Sequence, residues 1–216
     1  MKIVLLIIIG IVLGYIVKMI VNWLKIDNYI MSRKNFFLEA VGALMVTWSV
    51  VNLGIEEAAI FSIIALTLAG ISVIDFHTFE IPLIFIIIGV VASIAGILLK
   101  VISLSAAFWG IFVGALIPLA IMLILWAITK RQGMGYGDIQ LGIVLGAWLG
   151  PMRMALTLFC ASLLSLLAWL GVSLFKGFDK DRPIPLGPFL SVAGIGSYIG
   201  SFYYPCLLYT SDAADD

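Results

Sequence analysis

The chain has 216 residues, of which 63% are hydrophobic and 11% charged, with a mean hydropathy of +1.23. So few charges cannot cover a soluble globule, which makes this an integral membrane protein. Twelve basic and twelve acidic residues cancel, which argues against nucleic acid as a partner and leaves membrane lipid as the surrounding phase.

The first element, MKIVLLIIIGIVLGYIVKMIVNWL, is too long for the apolar core of a signal peptide, and no A-x-A pattern follows it. It reads as a retained transmembrane helix. A bilayer crossing takes roughly 20 apolar residues. By that measure the predicted spans are 3–24, 36–53, 58–75, 81–99, 104–128, 139–150, 152–175 and 186–205. The sixth is short, about 18 Å at the helical rise of 1.5 Å per residue, and ends at Gly150-Pro151. The expectation is an all-α polytopic protein with about eight transmembrane helices, forming one domain over residues 1–205.

Alternate loops then share a side. One set holds Lys25, Arg33, Lys34, Lys130, Arg131, Lys176, Lys180 and Arg182; the other holds Lys2, Lys100 and Arg153, with Glu56 and Glu57. The excess of positive charge puts the first set in the cytoplasm and both termini outside.

Two acids stand hard against apolar helices on that cytoplasmic side. Asp75 closes the third span in GISVIDFHTFEIPL, and Asp138 opens the sixth in GMGYGDIQLG. Alone, each reads as a hydrated helix-end residue. Together they make different chemistry possible, because two adjacent carboxylates cannot both ionise cheaply and share one proton. The anion takes a proton from an attacking water while the neutral partner stabilises the carbonyl oxygen. No metal and no nucleophilic side chain is needed. The lone histidine, His77, and the isolated Cys160 and Cys206 supply no metal-ligand cluster.

The glycines around Asp138 allow positive φ and a close approach by an extended substrate backbone. Gly142, Gly146 and Gly150, and likewise Gly10 and Gly14, recur every four residues and predict tight helix packing. His77 and Glu80 are read as facing water, and KGFDKDR, residues 176–182, as a solvated loop.

GMGYGDIQLGIVLGAWLG resembles the signature region of the type IV prepilin peptidases, the GxGD-type membrane aspartic proteases. IDFHTFEIP resembles their first-aspartate segment, IPLGPFLSVAG their C-terminal motif, and MSRKNFFLEAVGALM the segment after their cytoplasmic loop. The resemblance spans roughly residues 30–200. It implies that Asp75 and Asp138 are the catalytic dyad and that Gly135, Tyr136 and Gly137 shape the active-site loop. It further implies an aspartic endopeptidase of the inner, cytoplasmic membrane, needing no cofactor. Its active site would lie on the cytoplasmic face, where it removes a short basic leader from prepilin or pseudopilin substrates.

One departure matters. Many members of that family carry a cysteine-rich insertion after the first helix, associated with N-methylation of the product. Here only residues 24–35 separate the first two spans, without a cysteine, so S-adenosylmethionine chemistry is not expected. Two other readings compete: a related GxGD protease acting on preflagellin-like signals, and a small proton-coupled carrier using the same two acids. The final stretch, residues 206–216, breaks character with the rest. CLLYTSDAADD looks like a translated sequencing adapter and is read as a non-native tail.

Overall fold

A computed structural model describes residues 2–130, 135–179 and 183–204, and among them it contains helices and no strand. Gly133, Met134, the 180–182 part of the KGFDKDR loop and the 206–216 tail lie outside the described residues. The helices are α1 (Lys2–Leu24), α2 (Phe37–Asn52), α3 (Ile55–Thr78), α4 (Leu83–Leu98), α5 (Leu104–Thr129), α6 (Tyr136–Lys176) and α7 (Gly187–Tyr203). A 3-10 turn, Ile26–Asn28, interrupts the connection between α1 and α2. Four of the helices, α1, α3, α5 and α6, are long and apolar enough to cross a membrane, and α2 and α4 are apolar but shorter. The all-helical result follows from the solvent. Hydrocarbon offers no partner to a backbone N–H or C=O, so each segment must satisfy its own.

The chain divides into two compact units, residues 1–103 and 104–216. In the first, α3 is the central helix and packs against α1, α2 and α4. Phe61, Ile64, Leu68 and Ile71 along it are fully buried. Glu56 and Glu57 sit in its first turn, where the helix dipole favours acids. Its last turn ends at Phe79, a left-handed residue (φ 57) whose N–H donates to the Asp75 carbonyl at 3.0 Å. Helices α1 and α2 run antiparallel at very close approach. A Cβ on Gly10 would overlap the Gly42 carbonyl, and one on Gly14 the Leu38 carbonyl.

The second unit repeats this device. Gly110 of α5 lies against Gly146 of α6, and Gly114 against Gly142, so these two helices are also antiparallel and touch through backbone. Pro118, one turn beyond Gly114 in α5, lacks the N–H that the Gly114 carbonyl would otherwise accept. That carbonyl faces Gly142 instead.

The segment Tyr136–Lys176 is not one straight rod. Gly150 breaks it with φ 73 and ψ 175, immediately before Pro151. Both sides of the break reach the same points. A Cβ on Gly194 of α7 would meet Leu145 and Leu149 from before the break and Thr157 from after it. Gly114 likewise borders Gly142 and Met154. In a straight helix twelve residues span about 18 Å, so the chain folds back at Gly150 and both halves flank α7. The break expected at Gly150-Pro151 is therefore present, and its cause is a left-handed glycine followed by a residue with no N–H to donate.

Candidate active site

Asp75 lies in the last turn of α3 and is only 4% exposed. Asp75 takes part there in a further polar or electrostatic interaction. Around it, Thr78 donates its hydroxyl to the Ile74 carbonyl at 3.0 Å, and the His77 Nδ1 lies 2.8 Å from the Val73 carbonyl. A carbonyl only accepts, so Nδ1 is the donor in this contact.

Asp138 is the third residue of α6. The Gly135 N–H donates to its Oδ2 at 3.2 Å, and the Asp138 N–H donates back to the Gly135 carbonyl, also at 3.2 Å. Glycine has no side chain, so this is the carboxylate half of a capping box only. An acid at this position also meets the positive end of the helix dipole. Asp138 is thus a helix cap as well as a candidate for chemistry, and the two roles coexist because a carboxylate has two oxygens.

Gly135, Tyr136, Gly137 and Asp138 come together as this first turn, with Tyr136 66% exposed. The expected positive φ does not occur here. Gly135 has φ −76 and ψ 147, Gly137 is helical, and the left-handed glycines among the described residues are Gly150 and Gly177. The helix begins at Tyr136, three residues before the predicted start at residue 139, and so it absorbs Gly137. Asp75 and Asp138 belong to different units, each described by itself.

Several interacting residues of the first unit escaped sequence reasoning. Lys18 of α1 and Glu39 of α2 form an ion pair at 2.9 Å, with side-chain exposures of 5% and 8%. The Lys18 ammonium also donates to the backbone carbonyls of Asn35 (2.5 Å) and Arg33 (3.4 Å). Asn22 accepts the Met31 N–H at 2.7 Å and donates to the Met31 carbonyl at 3.4 Å. Tyr29 stacks on His77, with ring centroids 4.3 Å apart and planes at 26°. Burial pushes the Tyr29 phenol above its ordinary pKa. A lysine and a glutamate inside apolar helices were the available signal, since an intramembrane charge needs a partner. Pairing them required knowing that α1 and α2 lie side by side. Among the described residues no three His, Cys, Asp or Glu side chains gather into a metal-binding group.

The family model that matches is the type IV leader peptidase family, over residues 60–170. The chain belongs to the type IV leader peptidase family. Both Asp75 and Asp138 fall inside the matched stretch. Curated relatives agree. A prepilin leader peptidase/N-methyltransferase of Aeromonas hydrophila is 36% identical over 93 residues, covering 43% of this chain and 32% of the relative. One from Dichelobacter nodosus is 34% identical over 125 residues, covering 55% of this chain and 41% of the relative. Another, from Pseudomonas aeruginosa, is 34% identical over 92 residues, covering 43% and 32%. The chain thus spans less than half the length of these curated relatives. No solved structure matches it.

The second activity in those relatives' names needs a place for a methyl donor. In this leader peptidase family member the α1–α2 connection is short and held by its own helices. Its residues 25–36 are too few for a lobe of their own, and Met31, Arg33 and Asn35 are already committed to side chains of α1.

Proposed function

We propose that this protein is a membrane aspartic endopeptidase that removes the short basic leader from type IV prepilin or pseudopilin substrates. Asp75 and Asp138 are its two carboxylates, acting through water. The observation that carries this reading is the family match over residues 60–170, which contains both acids in their motifs. Each acid also stands at a helix end, Asp75 closing α3 and Asp138 opening α6. Helix ends at a membrane face suit a protease whose cut lies beside a hydrophobic substrate helix. A proton-coupled carrier needs its acids near mid-membrane, and a helix-end location gives that reading no support.

The mechanism needs one proton shared between the two carboxylates. The anionic member draws a proton from water as the oxygen attacks the scissile carbonyl. The neutral member donates a hydrogen bond to the carbonyl oxygen and then supplies the proton that the leaving amine requires. Gly135, Tyr136 and Gly137 form the turn that presents Asp138 to an extended substrate.

In this reading the break at Gly150 makes two membrane-crossing segments of α6, giving eight in all with the other six helices. The Asp75 and Asp138 ends face the cytoplasm of the inner membrane, where the basic loops lie. No cofactor takes part, and the product leaves unmethylated. The deciding experiment is co-expression with candidate prepilins followed by N-terminal sequencing of the product. A new N-terminus at the start of the hydrophobic helix, absent with Asp75→Asn, supports the assignment; an uncut substrate beside well-inserted wild-type protein overturns it.

A further inference from the structure

The connection between α1 and α2 is short, yet it is held far more firmly than a linker requires. Lys25, Asp27 and Asn28 all take left-handed backbone, with φ of 45, 47 and 59. Residues other than glycine keep such conformations only where their surroundings over-determine them. Here the surroundings are visible. Asn22 grips both backbone atoms of Met31, which is 2% exposed. Lys18 holds the carbonyls of Arg33 and Asn35 while paired with Glu39. The remaining contact is different in kind, because it reaches a third helix. Tyr29 lies flat on His77 in the last turn of α3.

That turn carries Asp75. Helix ends fray, because their last carbonyls lack partners within the helix. His77 adds a side-chain bond across the final turn, from Nδ1 to the Val73 carbonyl, and Asp75 lies between the two residues so linked. Two rings border the imidazole, Phe76 edge-on at 5.4 Å between centroids and Tyr29 on its face. Tyr29 is the aromatic face stacked on it.

We propose that residues 25–36 form a preassembled cap on the Asp75 end of α3, and that Tyr29 and His77 are positioning residues for Asp75. This rests on the reading of Asp75 as half of the catalytic pair. Neither ring takes part in proton transfer. Their work is to hold the final turn of α3 in one geometry, so that the carboxylate meets its partner and the water correctly. Misplacing a reacting group by about 1 Å can cost about 100-fold in rate. Loss of the stack should therefore reduce kcat and leave substrate affinity almost intact.

The chain's single histidine makes the test direct. Full-length protein with a histidine-free tag, labelled with isotopic histidine and placed in lipid nanodiscs, gives NMR signals from His77 alone. Three proteins are compared: wild type, Tyr29→Leu and Tyr29→Phe. Activity is measured per folded enzyme on a synthetic peptide carrying a short basic leader ahead of a hydrophobic helix. Tyr29→Leu should shift the His77 ring resonances and lower kcat roughly 10- to 100-fold, with KM within about twofold. Tyr29→Phe keeps an aromatic face and should restore both. Unchanged His77 resonances in Tyr29→Leu overturn the cap, and shifted resonances with wild-type kcat overturn the positioning role. A wild-type protein that cuts no such peptide removes the catalytic reading and the positioning role with it. The resonances still decide separately whether the cap is docked.

Discussion

Lys18 and Glu39 meet at 2.9 Å between α1 and α2, and all three ammonium protons of Lys18 have acceptors, in Glu39, Arg33 and Asn35. Glu39 is less well served, because its Oε2 is buried without a hydrogen-bond partner. The pair therefore fixes the α1–α2 geometry while making Glu39 dependent on Lys18. Lys18→Met leaves a buried, uncompensated carboxylate and should cost about 3–5 kcal/mol. Lys18→Met combined with Glu39→Leu removes both charges and should recover most of the loss. Thermal unfolding in detergent, compared across the two variants and wild type, measures this. A single variant as stable as wild type would mean that the pair contributes nothing.

The catalytic assignment predicts equal sensitivity at two positions. Asp75→Asn and Asp138→Asn are nearly isosteric, and each removes one ionisable partner. Each should lower cleavage on the order of 100-fold or more, since general acid–base help alone is worth about that. The Gly135 N–H bond survives in Asp138→Asn in weaker form, because an amide oxygen still accepts it. Failure to insert is therefore not expected. A well-inserted single variant with wild-type turnover would rule out the pair.

Packing predicts a contrast among glycines. Gly142→Ala and Gly146→Ala place a methyl into the carbonyls of Gly114 and Gly110, so α5 and α6 must separate. Each should lower the unfolding temperature and, because Asp138 lies one turn from Gly142, the activity as well. Gly171 has open space around its Cα, so Gly171→Ala should be neutral or slightly stabilising, by up to about 1 kcal/mol from helix propensity. Similar effects from all three would show that the close approach has no energetic weight.

Much of this was legible in the chain itself. Apolar length marks the helices, and the predicted boundaries differ from the observed ones by a few residues, as fraying ends allow. The glycine spacing foretold close packing on α1 and α6. Their partners, Gly42, Gly110 and Gly114, were not legible, because small-residue spacing marks a face and does not say what lies against it. Gly150-Pro151 announced the break, since glycine supplies a left-handed φ and proline forgoes an N–H. At Gly135 and Gly137 the same reasoning misled. Glycine permits positive φ without requiring it, and the N-terminus of α6 imposed helical geometry on Gly137. The cap on α3 was hidden for another reason. Tyr29 and His77 are far apart in the chain, and stacking leaves no trace in local composition.

The relatives bear names that join peptidase and N-methyltransferase. In this chain the α1–α2 connection is engaged in gripping its own helices. Met31 is held by Asn22, Arg33 and Asn35 by Lys18, and Tyr29 by His77. A loop this short lacks the length to fold a cofactor-binding lobe. The mature substrate should therefore carry an unmodified N-terminal amine. Purified enzyme, a prepilin substrate and S-adenosylmethionine are incubated together, and the product is weighed by mass spectrometry. Cleaved product lacking the mass of a methyl group is the expected result. A methylated product made by the purified protein alone would show that the methyl donor binds somewhere other than this loop.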